Sequence, residues 1–227
     1  NNPGSDDVEC NGVAVDCGAV FITGRTHNSS LFPGGITPTS PGSHDYWFLA
    51  SLSLSTGSTN WVRTAASSSA HGVTGYDVSV SRGGQIHVAG SMSGNVTTDG
   101  GTTIAGSSNE DILISRYNRD GTAVWYRREA SSDDEWPLAI TAAGGGNVLV
   151  GGSSENGLTL GSNTYPGTDG TDLFTASFTD PVWSSVSNNP ARFKQPGPFC
   201  TNSAVVNLSS FVQAYAAAVV SSTNVQN

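Results

Sequence analysis

The chain has 227 residues, enough for one large β domain or two small ones, and only 12% of them are charged against a usual quarter. Its formal charge is -9, and its nine basic residues, eight Arg and the single Lys194, are scattered without a patch, which excludes the basic stripe that nucleic-acid binding needs. No run approaches the roughly 20 apolar residues of a membrane-spanning helix, residues 211–220 being the longest candidate.

In chain order the same arrangement is met three times. The first copy opens on VAVDCGAVFITGRT, a hairpin whose Val13, Val15, Val20 and Ile22 alternate with small or polar residues and predict one better buried face. A long Gly/Ser/Thr/Pro loop follows, then an apolar strand, DYWFLASL, and a strand holding Trp61 in NWVRTA. The second copy runs VSVSRGGQIHVAGSM, loop, EDILISRY and VWYRRE, with turns at Arg82-Gly83-Gly84 and Asp120-Gly121, residue types that tolerate positive φ. The third runs AITAAGGGNVLVGGSS, loop, TDLFTASF and VWSSVS.

Three landmarks keep one order through the copies: Gly24, Gly90 and Gly152 at spacings of 66 and 62, Asp45, Asp111 and Asp172 at 66 and 61, and Trp61, Trp125 and Trp183 at 64 and 58. The expected fold is all-β, with three four-stranded antiparallel repeats like propeller blades at about 5–67, 68–130 and 131–187. Residues 188–227 match no repeat. Within them 203–220, SAVVNLSSFVQAYAAAVV, is too apolar to stand in water, so this tail is expected to pair with the repeats or with a neighbouring subunit, in extended rather than helical form.

Further short motifs recur alongside these landmarks. They are Ser5-Asp6-Asp7, Phe21-Ile22-Thr23-Gly24, Phe32-Pro33-Gly34 and Ser43-His44-Asp45-Tyr46-Trp47-Phe48, with counterparts at Asp133-Asp134, Val148 to Gly152, Tyr165-Pro166-Gly167 and Asp172-Leu173-Phe174. Over about residues 5–187 the pattern resembles the β-propeller repeats of secreted bacterial proteins. The resemblance implies scaffold and surface modules rather than one enzyme class. A closed propeller typically takes about four to eight blades, so three copies imply completion by the tail, by further sequence or by another molecule.

Candidate chemistry is sparse. The pairs Asp6-Asp7 and Asp133-Asp134 occupy one repeat position, whereas acid and base carboxylates need contrasting environments, so a structural corner is favoured over catalysis or calcium. His27, His44, His71 and His87 show no zinc spacing, and His87 is expected on one face of a strand. Arg127-Arg128-Glu129 reads as an exposed strand end carrying its own counter-charge, with an anionic or sugar contact as the other reading. Tyr46-Trp47 reads as strand core, with one ring left open for sugar stacking as the other.

Of the three cysteines, Cys10 and Cys17 bracket a strand about 23 Å long, beyond the roughly 7 Å reach of a disulfide, so one of them is expected to bridge Cys200. Such a bond, together with sequons at Asn28, Asn95 and Asn207, points to an extracellular protein, processed or cut from a longer chain. The expected function is a non-catalytic structural or adhesive surface protein, without cofactor or metal, whose partner is itself through a filament built on the C-terminal segment. The alternative is a glycan- or protein-binding module of a larger secreted protein; neither involves nucleic acid or membrane insertion.

Overall fold

A computed structural model describes residues 8–26, 45–143 and 147–179. Every regular element among them is a strand, and all pairings are antiparallel. The first sheet is built on β1 (Val8–Asp16), β2 (Ala19–Thr26), β3 (Tyr46–Ser53) and β4 (Thr59–Ser67), in that order. The second is built on β5 (Val73–Val80), β6 (Ile86–Met92), β9 (Asp111–Tyr117) and β10 (Ala123–Glu129), and the third on β11 (Glu135–Ala142), β12 (Asn147–Leu160) and β13 (Asn163–Thr179). The described strands close no barrel and no propeller ring.

Two departures from the expected four-stranded repeat arise in the loops. In the second repeat the loop forms a small hairpin, β7 (Val96–Thr98) and β8 (Thr103–Ile104), which pairs with β4 and makes the first sheet six-stranded. In the third repeat the loop is absorbed into the long hairpin β12–β13, bent at Glu155–Gly157 where the register shifts and Asn156 and Gly157 take positive φ. Tyr165-Pro166-Gly167 therefore lies in a strand, and Pro166 sits opposite Gly157 at the bend, where a ladder donor is dispensable. The strand expected around Trp183, the tail and its secondary structure lie outside the described residues.

The sheets stack through two apolar layers. Phe21, Trp47 and Leu49 of the first meet Val78, Val88 and Tyr117 of the second, and Ile112 and Ile114 on its other side meet Ile140, Val150 and Phe178 of the third. Trp47 is held there by donating from Nε1 to Thr23 Oγ1 at 2.7 Å. Tyr46 and Trp47 are both buried, so neither offers a sugar-stacking face. The expected face of β1 is likewise reversed: Val13 and Val15 are exposed and Gly12 is buried, because a Cβ on Gly12 would lie 2.7 Å from Asp77 Cα. Small residues win the inner face of β1 because a backbone, not a cavity, lies against it.

Each first strand carries a bulge at the same register. The extra residue is Asn11 in β1 and Tyr76 in β5, while in β11 Pro137 and Leu138 together oppose Gly152. The landmark glycines explain themselves here. A Cβ on Gly24, Gly90 or Gly152 would overlap the carbonyl oxygen of Glu9, Thr74 or Trp136, so only glycine admits the bulged strand. Gly151 next door has its nearest neighbour 3.9 Å away and no strained φ. Gly152→Ala is therefore expected to cost about 2 kcal/mol or more in urea unfolding, as overpacking against backbone does, while Gly151→Ala leaves stability unchanged or raises it. Equal effects of the two substitutions would contradict this account.

Candidate functional site

The three bulges bring their extra residues together. Asn11, Tyr76 and Leu138, one from each repeat, line a single cavity of about 540 Å3, together with Glu9, Arg25 and Glu110. Bulges re-aim side chains out of a sheet, and here three successive sheets aim theirs into one space. His71, Thr74 and the free, exposed thiol of Cys10 complete its wall.

The charges in this cavity are unevenly matched. Arg25 donates from Nε to Glu9 at 2.8 Å and from Nη2 to the other Glu9 oxygen at 2.9 Å, and it pairs with Asp45 at 3.2 Å. That hydrogen bond with Glu9 holds its guanidinium above the usual range. Glu110 has no such cation among the described residues: its oxygens accept from the Trp136 indole and, at 3.5 Å, from Ser91 Oγ. Ser91 also reaches the Tyr76 hydroxyl at 3.4 Å, and burial raises the Tyr76 pKa, with the Glu110 charge adding to the rise.

Where the second and third sheets meet, Asp111 of β9 and Glu135 of β11 form a buried carboxyl pair. Asp111 accepts from Arg128 Nε and Ser107 Oγ at 2.8 Å through Oδ2, while Glu135 accepts from Ser131 N at 3.3 Å through Oε2. Both residues are fully buried, and Asp111 Oδ1 and Glu135 Oε1 have no hydrogen-bond partner. Burial, then the charges of Asp111 and Asp134, raises the Glu135 pKa from 4.5 to about 7.

The landmarks singled out in the sequence have mainly structural contacts. Judged by the partners of Gly24, Gly90 and Gly152 (Phe48, Leu113 and Phe174), Asp111 and Asp172 are equivalent, while Asp45 falls one residue earlier, level with Glu110. Asp111 accepts from Ser107 and Asp172 from Thr168, each four residues back, which closes the preceding loop. Trp61 donates to Arg119 O at 3.1 Å, and Trp125 lies beside the buried His87, ring centroids 6.4 Å apart. Asp134 accepts from Glu110 N at 2.8 Å, and Asp133 from Ser132 Oγ at 2.8 Å.

Arg127 pairs with Glu129, but Arg128 takes Asp111 as its counter-charge, and Glu129 is buried rather than exposed. Asn95 is exposed, its side-chain oxygen accepting from Gly106 N at 3.1 Å. Asp6, Asp7, His27, Asn28, His44, Trp183, Cys200 and Asn207 lie outside the described residues. Among the described residues no three His, Cys, Asp or Glu side chains form a metal-binding group. Sequence reasoning missed Tyr76 because no residue type recurs at the bulge to mark it, and missed Arg25, Glu110 and Glu135 because none of them stands in a motif with recognisable spacing. The chain matches no protein-family model and no curated protein.

Two outcomes follow from these contacts. Glu135 loses its proton near 4.5 when unfolded but only near 7 when folded, so its contribution is fully present below 4.5, falls as pH rises towards 7 and is flat above. Urea midpoints across that window should fall more steeply for the parent chain than for Glu135→Gln; parallel curves would rule the buried acid out. Separately, with the Cys10 thiol free, alkylation before reduction should label Cys10 alone and non-reducing peptide maps should join Cys17 to Cys200. A mapped bond to Cys10 would overturn that pairing.

Proposed function

We propose that the chain is a non-catalytic extracellular structural or adhesive protein of the propeller-repeat kind, assembling through its C-terminal segment. The observation that carries this reading is one register position. Trp47, Ile112 and Leu173 stand at equivalent places opposite Arg25, Ser91 and Ser153, and the first two are buried by the repeat that follows them. Leu173 is 90% exposed, and Leu149 on the same sheet is 45% exposed. A surface that two repeats cover and the third presents suits attachment to a further molecule. The recurring residues meanwhile serve joints: Gly24, Gly90 and Gly152 admit the bulges, and Asp111 and Asp172 close loops.

A second reading, a binding module for glycan or protein, is favoured by the cavity that the three bulges share. The assembly reading is tested by deleting 203–227 and measuring mass by light scattering across concentration. The full chain is expected to form concentration-dependent oligomers, and the shortened chain to stay a folded monomer. An identical monomer from both would overturn assembly through this segment.

A further inference from the structure

The geometry points to the bulge cavity as a receptor for a primary ammonium group, with Glu110 as its anionic partner and Tyr76 as its aromatic wall. The inference rests on the binding-module reading and adds the chemistry of the ligand. Three observations carry it. First, the cavity is assembled from all three repeats by the one irregularity they share, at positions where Asn11, Tyr76 and Leu138 have no residue type in common. A scaffold needs the bulge and its glycine, but it does not need these side chains to differ.

Second, the only guanidinium lining the cavity among the described residues is already matched. Arg25 faces Glu9 through two hydrogen bonds and Asp45 through a third, so its charge is matched by two carboxylates that would repel an incoming anion. Third, among the described residues the Glu110 carboxylate meets neutral donors alone, the Trp136 indole and Ser91, which fix its direction without cancelling its charge. Its backbone N–H is tied to Asp134 at 2.8 Å, so the carboxylate is positioned from both ends. A carboxylate aimed into a polar cavity beside an aromatic ring is the arrangement that accepts an alkylammonium, by charge-assisted hydrogen bonding and by attraction to the ring. Asn11 commits one of its two amide hydrogens to Gly75 O at 2.9 Å, which fixes the direction of its side chain.

Titration calorimetry on the full chain with glucosamine, N-acetylglucosamine and Nα-acetyl-lysine amide tests the assignment. Saturable binding of glucosamine or of the lysine amide is expected, with the neutral N-acetylglucosamine weaker by about tenfold or more. Glucosamine alone binding identifies an amino sugar as the source, and the lysine amide alone a protein side chain. Glu110→Gln keeps an oxygen for Trp136 and is expected to weaken the cation by about tenfold or more. Tyr76→Leu serves where Glu110→Gln does not fold and should weaken it in the same direction. No binding of either ammonium probe, equal binding of the neutral sugar, or indifference to both substitutions overturns the inference. Saturable capture on a polysaccharide or protein array that ignores Glu110→Gln would leave the binding-module reading standing while removing this site from it.

Discussion

The fold depends on the fit of a bulged strand against a glycine. In each repeat the first strand must swing across the second at the bulge, and it passes so close that the carbonyl of Glu9, Thr74 or Trp136 occupies the space a side chain would need at Gly24, Gly90 or Gly152. An extra residue in one strand of an antiparallel pair bends that strand and sharpens its twist. The bend is what lets the first strand of one repeat lie on the first strand of the next. Gly12 in turn allows β1 to touch the backbone of β5 at Asp77 and Val78, so the stack is set by backbone contact before any large side chain packs.

Edge strands brought together in this way would leave unpaired amides, and the chain answers with side chains rather than with more strands. Asn11 of β1 donates to Gly75 O of β5, and Asp77 and Ser79 of β5 accept from Ile140 N at 2.9 Å and Ala142 N at 3.0 Å of β11. At the opposite end of β1, Arg119 in the β9–β10 turn grips Asp16 and the carbonyls of Asp16 and Cys17, while Trp61 and Arg63 of β4 donate to Arg119 O and Gly121 O of that same turn. Repeats one and two are thus tied at both ends of β1. Arg63, Asp77 and Arg119 satisfy backbone groups at these joints, where a hydrogen bond to a charged group contributes about 1.5–3 kcal/mol.

Much of this was legible in the sequence, because Gly24, Gly90 and Gly152 answer a backbone demand that only one residue type can meet. The all-β class and the sheet-forming segments followed from that and from alternation. What alternation could not show was which side of β1 faces inward. It marked the Val13 and Val15 face as the apolar one, but the inner face holds Gly12 and Ala14, since a neighbouring backbone excludes anything larger. The landmark aspartates misled by one residue for a related reason: Asp45 and Asp111 both precede an apolar strand, yet the register equates Asp45 with Glu110.

The cavity was illegible on different grounds. A position that must be glycine repeats as glycine, whereas a position that only has to project from a bulge is free to vary, and Asn11, Tyr76 and Leu138 vary accordingly. A search for recurring residues is therefore blind to the place where three repeats can differ without harming the stack. Identity between repeats marks what the scaffold requires; a difference at an equivalent position that lines the shared cavity marks where the scaffold leaves room for specificity. By that criterion the carboxylate of Glu110, unmatched by any cation among the described residues and level with Asp45, which does have one, is the point at which this chain departs from its own pattern.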